Sequence, residues 1–415
     1  MKILHTADWH FGKEWHGVDR TLDLRDHVIP EIVDIALRHQ VQLVVVAGDI
    51  LEGFGRESLN LCSLLLRQPI RRLLESGVHV ALIPGNHDNM PLFRLLEAAL
   101  SVNPLSATAQ LVIFTKPGIH RFDRLQVLGM PYLSLRNFAT LLADQRVSVP
   151  GQGDLQNQTL SSLFEQAIKA IIERDLTGRS PALLIGHFAV SGSSYTPEGH
   201  GDDRAYAGFE TSYARDLAIS RDALLNSDQV PQYNALGHMH LGQQVHETVV
   251  PTYYAGAPDR FDRGERDYQP HVLVVDLPER GRVEVVPVPI QTATPFVSEA
   301  ISSGAELQAL ADRLGAQLSR RVLGDLIIKV GDIADYAPLR DQAYDLFPRL
   351  KEANTVRPDA PESSPLPKFE ASPDYSRIAD HSTVFNEFFA TFAEEDRPHL
   401  SKALETILQE LSDED

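Results

Sequence analysis

Cysteine is almost missing from this sequence. Cys62, in LNLCSLLLRQPI, is the only one, so no internal disulfide can form and no thiolate cluster can hold a metal. A buried helical position is its expected use. Long apolar runs are missing too. None approaches the ~20 residues that cross a bilayer, and the opening MKILHTADWH turns polar too early for a secretory signal. These absences predict a soluble, cytoplasmic protein with no membrane partner. Basic residues are in deficit, with 38 Lys and Arg against 57 Asp and Glu and a formal charge of −19. That excludes a protein coated in positive surface. About half of the surplus lies at the end, where residues 351–415 hold six basic and fifteen acidic side chains. Local basic patches elsewhere, or cations bound among carboxylates, stay compatible with this balance.

What is present is a body of ordinary globular composition, 43% apolar and 23% charged. A chain of 415 residues is too long for one small core, so two or three domains are expected. Over residues 1–290, runs rich in Val, Ile and Leu (KILHTAD, QLVVVAGD, HVALIPGNHD, ALLIGH) alternate with helical patterns such as RDHVIPEIVDIALRHQ and SLNLCSLLLRQPIRRLLESG. This is the rhythm of strands buried by helices on both faces, and LQVLGMPYL and HVLVVDL add strands. Residues 291–348 read as a small α/β appendage, with helix AELQALADRLGAQL, strand DLIIKVGD and helix APLRDQAYDLF. Residues 349–376 include RPDAPESSPLPKFEASPD, whose Pro, Ser and Asp predict an extended linker. In 377–415, Phe385, Phe388, Phe389 and Phe392 form one stripe at helical spacing, and Leu400, Leu404, Ile407, Leu408 and Leu411 form another. Two short amphipathic helices have little of their own to bury. They either fold back on the body or dock into a partner's apolar groove.

The chemistry gathers where the apolar runs end. KILHTADWH delivers Asp8 and His10, QLVVVAGD delivers Asp49, and HVALIPGNHD delivers Asn86, His87 and Asp88. ALLIGH delivers His187, and YNALGHMH delivers His238 and His240. Taken singly, each is as well explained as a strand-end cap, a turn or a satisfied core histidine. Five successive strand ends carrying ligand types are not. In open α/β sheets the carboxyl ends of strands line the binding crevice, so these groups are expected around one point. Carboxylate, imidazole and one amide oxygen fit Mn²⁺, with Fe²⁺, Zn²⁺ or Mg²⁺ as competitors. The donors exceed one ion's needs but suit two divalent ions roughly 3.5–4 Å apart, for which Asp49 is the natural bridge.

DWH, GD, GNHD, GH and GHMH, in that order, resemble the calcineurin-like metallophosphoesterase superfamily. Within it the layout is similar to the SbcD family of nucleases, which work with an SbcC-like SMC ATPase in DNA double-strand-break repair. The motifs span residues 1 to about 260. The resemblance implies an α/β fold: a β-sandwich flanked by helices, a small capping domain and a C-terminal helix-loop-helix that grips the ATPase partner, here through Phe385, Phe388, Phe389, Phe392, Leu404, Ile407, Leu408 and Leu411. It implies one metal on Asp8, His10, Asp49 and His240, and a second on Asp49, Asn86, His187 and His238. His87 is then the residue that meets the scissile phosphate or protonates the leaving oxygen, and Asp88 orients it. One departure follows the second motif, where Leu51 and Glu52 stand in place of an aromatic and a His or Asp. Lys13, His16 and Arg20, on an expected exposed loop, are candidate DNA phosphate contacts. Leu61, Leu64, Leu65, Phe93, Leu96 and Leu100 are candidates for a homodimer contact, with burial inside the monomer as the alternative.

The expected function is thus Mn²⁺-dependent hydrolysis of DNA, as exonuclease and endonuclease, on double-stranded ends and hairpins. A stand-alone phosphodiesterase for small substrates such as cyclic nucleotides is the first alternative; the extra domain and tail exceed its needs. A non-catalytic scaffold with a structural metal is the second; it has no use for His87.

Overall fold

A computed structural model describes residues 1–52, 56–102, 105–133, 160–176, 181–190, 193, 218–219, 231–261, 263–279, 282–330 and 333–356. Two six-stranded sheets form the body. The first comprises β1 (Lys2–Thr6), β2 (Leu43–Ala47), β3 (His79–Ile83) and β4 (Leu111–Ile113), with β11 (His271–Asp276) and β12 (Glu284–Pro289), in the order β12-β11-β1-β2-β3-β4. The second comprises β5 (Gly118–Phe122), β6 (Leu125–Met130), β7 (Ala182–His187), β8 (Tyr233–Gly237), β9 (Gln243–Gln244) and β10 (Thr252–Tyr254), in the order β9-β10-β8-β7-β6-β5. β1, β2 and β3 run parallel, as do β7 and β8.

Register explains the unbroken apolar runs. Ile3, Leu43, Val45 and Ala47 point at the second sheet and pack with Leu183, Ile185, Tyr233 and Ala235. Their neighbours Leu4, Val44 and Val46 point the other way, onto the helical side with Ile29, Ile32, Val33 and Ala36 of α1 (Ile29–Arg38). Cys62, Leu61 and Leu65 of α2 (Arg56–Leu65) and Phe93 of α3 (Met90–Val102) lie in the same cluster. In the second sheet Leu184 and Leu236 pack with Phe164, Ala167, Ile168 and Ile171 of α4 (Leu160–Asp175). Each strand is buried on both faces because side chains alternate. The second face is covered by the other sheet, however, and not by helices as the alternating pattern suggested. Burial of each such Val, Leu or Ile contributes roughly 1.5–3 kcal/mol.

The residues proposed as a dimer face are drawn into this core: Leu61, Leu65 and Phe93 are buried, with Leu64, Leu96 and Leu100 packed partly buried against them. The exposed apolar side chains of these helices are instead Leu59, Leu95 and Val102. No helix among the described residues is long and apolar enough to cross a membrane.

A third, all-parallel sheet of β13 (Phe296–Ile301), β14 (Leu323–Lys329) and β15 (Glu352–Val356) packs with α5 (Gly304–Leu314) and α6 (Tyr336–Leu346). Its core includes Leu307, Leu310, Leu326 and Phe347. The boundary at residue 348 therefore needs correction, because Glu352–Val356 pairs with β14 and belongs to this unit. The helix-loop-helix expected over 377–415 lies outside the described residues.

Two contacts tie the third sheet to the body. Trp15 meets the Phe296 ring edge-on at 5.1 Å, beside Leu323. Asp23 accepts from Arg321 and Arg349, each at 2.8 Å, while Arg20 bridges Asp23 at 2.9 Å and Asp259 at 2.6 Å. Arg20, expected on an exposed loop, is fully buried. It serves the domain junction and cannot reach a phosphate.

His5 joins the two sheets. It is fully buried, accepts from the Tyr233 hydroxyl at 3.0 Å and donates to the Leu236 carbonyl at 3.1 Å. Burial lowers it to about 3 from an ordinary 6.5. The folded state therefore binds this proton less readily than the unfolded chain. The stabilising effect is present above pH 6.5 and is lost as pH falls toward 3, by up to about 1.4 kcal/mol per pH unit. His5→Gln is expected to flatten the acid limb of urea-unfolding stability between pH 6 and 4 relative to wild type; equal slopes in both proteins would refute this.

Candidate metal centre

The five strand ends meet although they come from two sheets. Gly237 pairs with His187 in the second sheet, and a side chain at Gly237 would strike the Ala47 carbonyl of the first. Glycine there lets the sheet edges touch. Gly48 turns with φ +91°, and a Cβ on it would run into the His187 ring. Beyond these contacts the backbone is strained. Asp8, His10, Asp49 and His238 all have left-handed φ, between 45° and 97°, a conformation costing L-residues about 1–2 kcal/mol each. Hydrogen bonds impose it: Asp8 N–H to Gly48 O at 3.0 Å, His10 N–H to Asp49 O at 2.9 Å, and His238 N–H to Asp8 Oδ1 at 2.9 Å.

Asp88 departs from expectation. Rather than orienting His87, its buried carboxylate accepts the backbone N–H groups of Ile50, Leu51 and Gly85 at 3.0, 2.7 and 2.8 Å. It ties the loop after β2 to the loop after β3.

The side chains form two groups that share Asp49. In one, His10 Nε2 and His240 Nε2 lie 2.9 Å apart, with Asp8 alongside. In the other, Asn86 Oδ1 lies 2.9 Å from His187 Nε2 and 3.2 Å from His238 Nδ1. Asp49 Oδ2 stands between them, 3.7 Å from His10 Nε2 and 3.4 Å from His187 Nε2. Its Oδ1 accepts the His87 N–H at 2.9 Å. His87 also comes within ligand distance of His10 and Asp49.

Three histidines are oriented through Nδ1. His187 donates to the Ala47 carbonyl at 2.8 Å, His10 to Glu52 at 2.6 Å and His240 to Glu265 at 2.6 Å. Each leaves Nε2 for the centre, as second partners of metal-binding histidines do. Phe261 packs edge-on against His10 and His240. Neither Glu265 nor Phe261 is marked out by the sequence pattern, and Glu52 stands out there only as a departure from it.

The electrostatics ask for a cation. Asp49 is 2% exposed; burial alone would raise it, yet His187 and His10 hold it well below the usual carboxylate range. Burial pushes Asp8 up to about 7 against the pull of His187 and His240, and Asp8 Oδ2 is buried without a hydrogen-bond partner. Burial lowers His10 to about 4. Against the same penalty, Asp49 raises His187 to about 9 and Glu265 raises His240 to about 9. Protons on these two rings thus supply positive charge where the donors converge. An orphan carboxylate oxygen, converging Nε2 atoms and a shared carboxylate fit a pair of divalent cations, whose identity this donor set does not select.

Among the proposed phosphate contacts, Lys13 lies 3.5 Å from Glu52 at the rim. His16 is exposed, 3.5 Å from Lys351 Nζ.

Residues 1–242 match the family model described as calcineurin-like phosphoesterase. A relative from Bacillus subtilis (strain 168), named as one of the two chains of the nuclease SbcCD, is 25% identical over 353 residues, 80% of this chain and 80% of that protein. The protein of the same name in Rhodobacter capsulatus is 26% identical over 308 residues, covering 70% and 69%. A solved dimetal phosphatase from Danio rerio is similar to 70% of this chain and 99% of its own, at 14% identity and a TM-score of 0.41.

Ligation needs neutral imidazole, so cations entering this centre displace the protons held on His187 and His240. Calorimetric Mn²⁺ titration of metal-stripped protein at pH 7.5, in buffers of differing ionisation enthalpy, is expected to show net proton release. The release should decline as pH rises through 9. Proton-neutral binding at pH 7.5 would show that these rings are not ligands.

Proposed function

The chain belongs to the calcineurin-like phosphoesterase family, and on that footing we propose that it is a Mn²⁺-dependent DNA nuclease acting with an SMC-like ATPase. The observation that carries the catalytic part is Asp49, one carboxylate shared by two donor groups with His87 beside it. Asp8, His10, Asp49 and His240 would hold one cation, and Asp49, Asn86, His187 and His238 the other. Bound divalent cations supply Lewis acidity toward a phosphoryl oxygen and lower the pKa of water. The Asp8 and Asp49 carboxylates and the Nε2 atoms hold that chemistry at one point. His87, held by Glu52 at Nδ1, keeps its other ring nitrogen for the scissile phosphate or the leaving oxygen. Lys13 and His16 at the rim are proposed to meet the DNA backbone.

DNA as substrate and the ATPase as partner are supported by the relatives named as parts of the nuclease SbcCD, which align over 70–80% of this chain. The partner is proposed to be gripped by the amphipathic stripes of residues 377–415. Pairing of two copies would use the exposed Leu59, Leu95 and Val102 in place of the buried set.

Wild type with Mn²⁺ is expected to cleave end-labelled linear duplex DNA, and Asp49→Ala to lose at least a thousandfold in rate. Cleavage of bis-p-nitrophenyl phosphate without cleavage of DNA, even with the ATPase present, would favour a small-substrate phosphodiesterase. Deletion from residue 375 onward is expected to abolish co-purification with the ATPase while sparing hydrolysis of the small phosphodiester. Retained co-purification would count against the docking role.

A further inference from the structure

Glu52 occupies an unusual place. It follows the second motif, and its carboxylate has one oxygen on each of two catalytic-centre histidines. Oε2 accepts His10 Nδ1–H at 2.6 Å and Oε1 accepts His87 Nδ1–H at 3.2 Å. The two rings stand edge to face, 4.8 Å apart, with this carboxylate behind both. From outside, Lys13 Nζ approaches the same Oε1 at 3.5 Å.

We infer that Glu52 is a positioning residue that fixes two histidines at once, His10 toward a cation and His87 toward the phosphate, so that a single side chain sets both halves of the centre. The inference rests on the phosphodiesterase reading given above. The main chain makes it a built feature. Phe11 N–H donates to Ile50 O and Glu52 N–H donates to Phe11 O, both at 3.0 Å, so residue 52 is paired to the segment that carries His10. On the other side Asp88 clamps the N–H groups of Ile50 and Leu51. The Cα of Glu52 is thus placed by its neighbours, and its carboxylate is 25% exposed, bordering the cleft.

Two donors facing one side chain require two acceptor oxygens. A carboxylate supplies both. The isosteric amide supplies one and presents its NH₂ to the other ring, where donor meets donor. Glu52→Gln therefore keeps the shape and breaks one contact. By contrast Glu265 serves His240 alone, so the double attachment is particular to Glu52 among these carboxylates.

The test compares wild type, Glu52→Gln, His87→Ala and the double variant by two readouts. One is the Mn²⁺ affinity of metal-stripped protein without substrate. The other is kcat and KM for bis-p-nitrophenyl phosphate at saturating Mn²⁺. Glu52→Gln is expected to weaken Mn²⁺ binding about tenfold, the lower end for loss of a partner behind a metal-binding histidine, and His87→Ala is expected to leave it unchanged. Each single change lowers kcat at least tenfold with KM little altered. The double variant is no slower than His87→Ala, because on turnover Glu52 acts through His87. Wild-type Mn²⁺ affinity in Glu52→Gln, or kcat losses that multiply in the double variant, overturns the inference. So does complete loss of Mn²⁺ binding, which would make Glu52 a ligand. If wild type hydrolyses no phosphodiester, the proposed function fails separately. The Mn²⁺ comparison then still decides for or against Glu52.

Discussion

The constraint on which the rest of this structure depends is the buried carboxylate of Asp49. A carboxylate at 2% exposure is costly unless charge and hydrogen bonds surround it. Everything nearby supplies them. His187 and His10 approach one oxygen, and the His87 N–H caps the other. Bringing His187 there requires the edge of the second sheet to close on the first, which requires glycine at 237 and a left-handed turn at Gly48. The strained backbone at Asp8, His10, Asp49 and His238 follows from the same demand. The fold holds that strain with hydrogen bonds between loops and with the alternating side chains of β1, β2, β7 and β8 in one inter-sheet core.

The centre is also joined to the third sheet. Asp23 collects Arg321 and Arg349 from that unit and Arg20 from the body. Arg20 then reaches Asp259 and lies over the Phe261 ring at 5.8 Å. Phe261 N–H donates to Glu265, whose other oxygen holds His240. Buried ion pairs of this kind add little net stability over apolar packing, but losing one partner leaves an uncompensated charge. Their effect here is geometric: the unit bearing Lys351 is fixed relative to the loop bearing Lys13 and His16, and one contiguous set of contacts runs from that junction to a candidate metal ligand.

The donor residues were legible in the sequence because each follows an apolar run that stops abruptly, and their order within the chain carries the family pattern. The allocation of strands to two sheets was not legible. A strand buried on both faces reads the same whether its second face meets a helix or another sheet. Arg20 looked like surface, as most arginines are; its burial depends on Asp259, 239 positions away. Glu52 and Glu265 sit in loops without periodicity, and only the folded chain sets them against His10 and His240. Glu352–Val356 was absorbed into the linker because the Pro-rich stretch follows directly; its strand character comes from pairing with β14.

The centre is arranged before any cation enters it. Glu52, Glu265 and the Ala47 carbonyl already fix which nitrogen each ring offers. Protons on His187 and His240 balance Asp49 in the meantime. Loading therefore exchanges protons for metal on side chains that are already oriented, and little conformational entropy is left to lose. The same exchange bears on the acidic composition. A chain with a formal charge of −19 repels a polyanion on average, yet cations placed in the buried acidic centre reverse the sign of the field at the one point where a phosphate must approach.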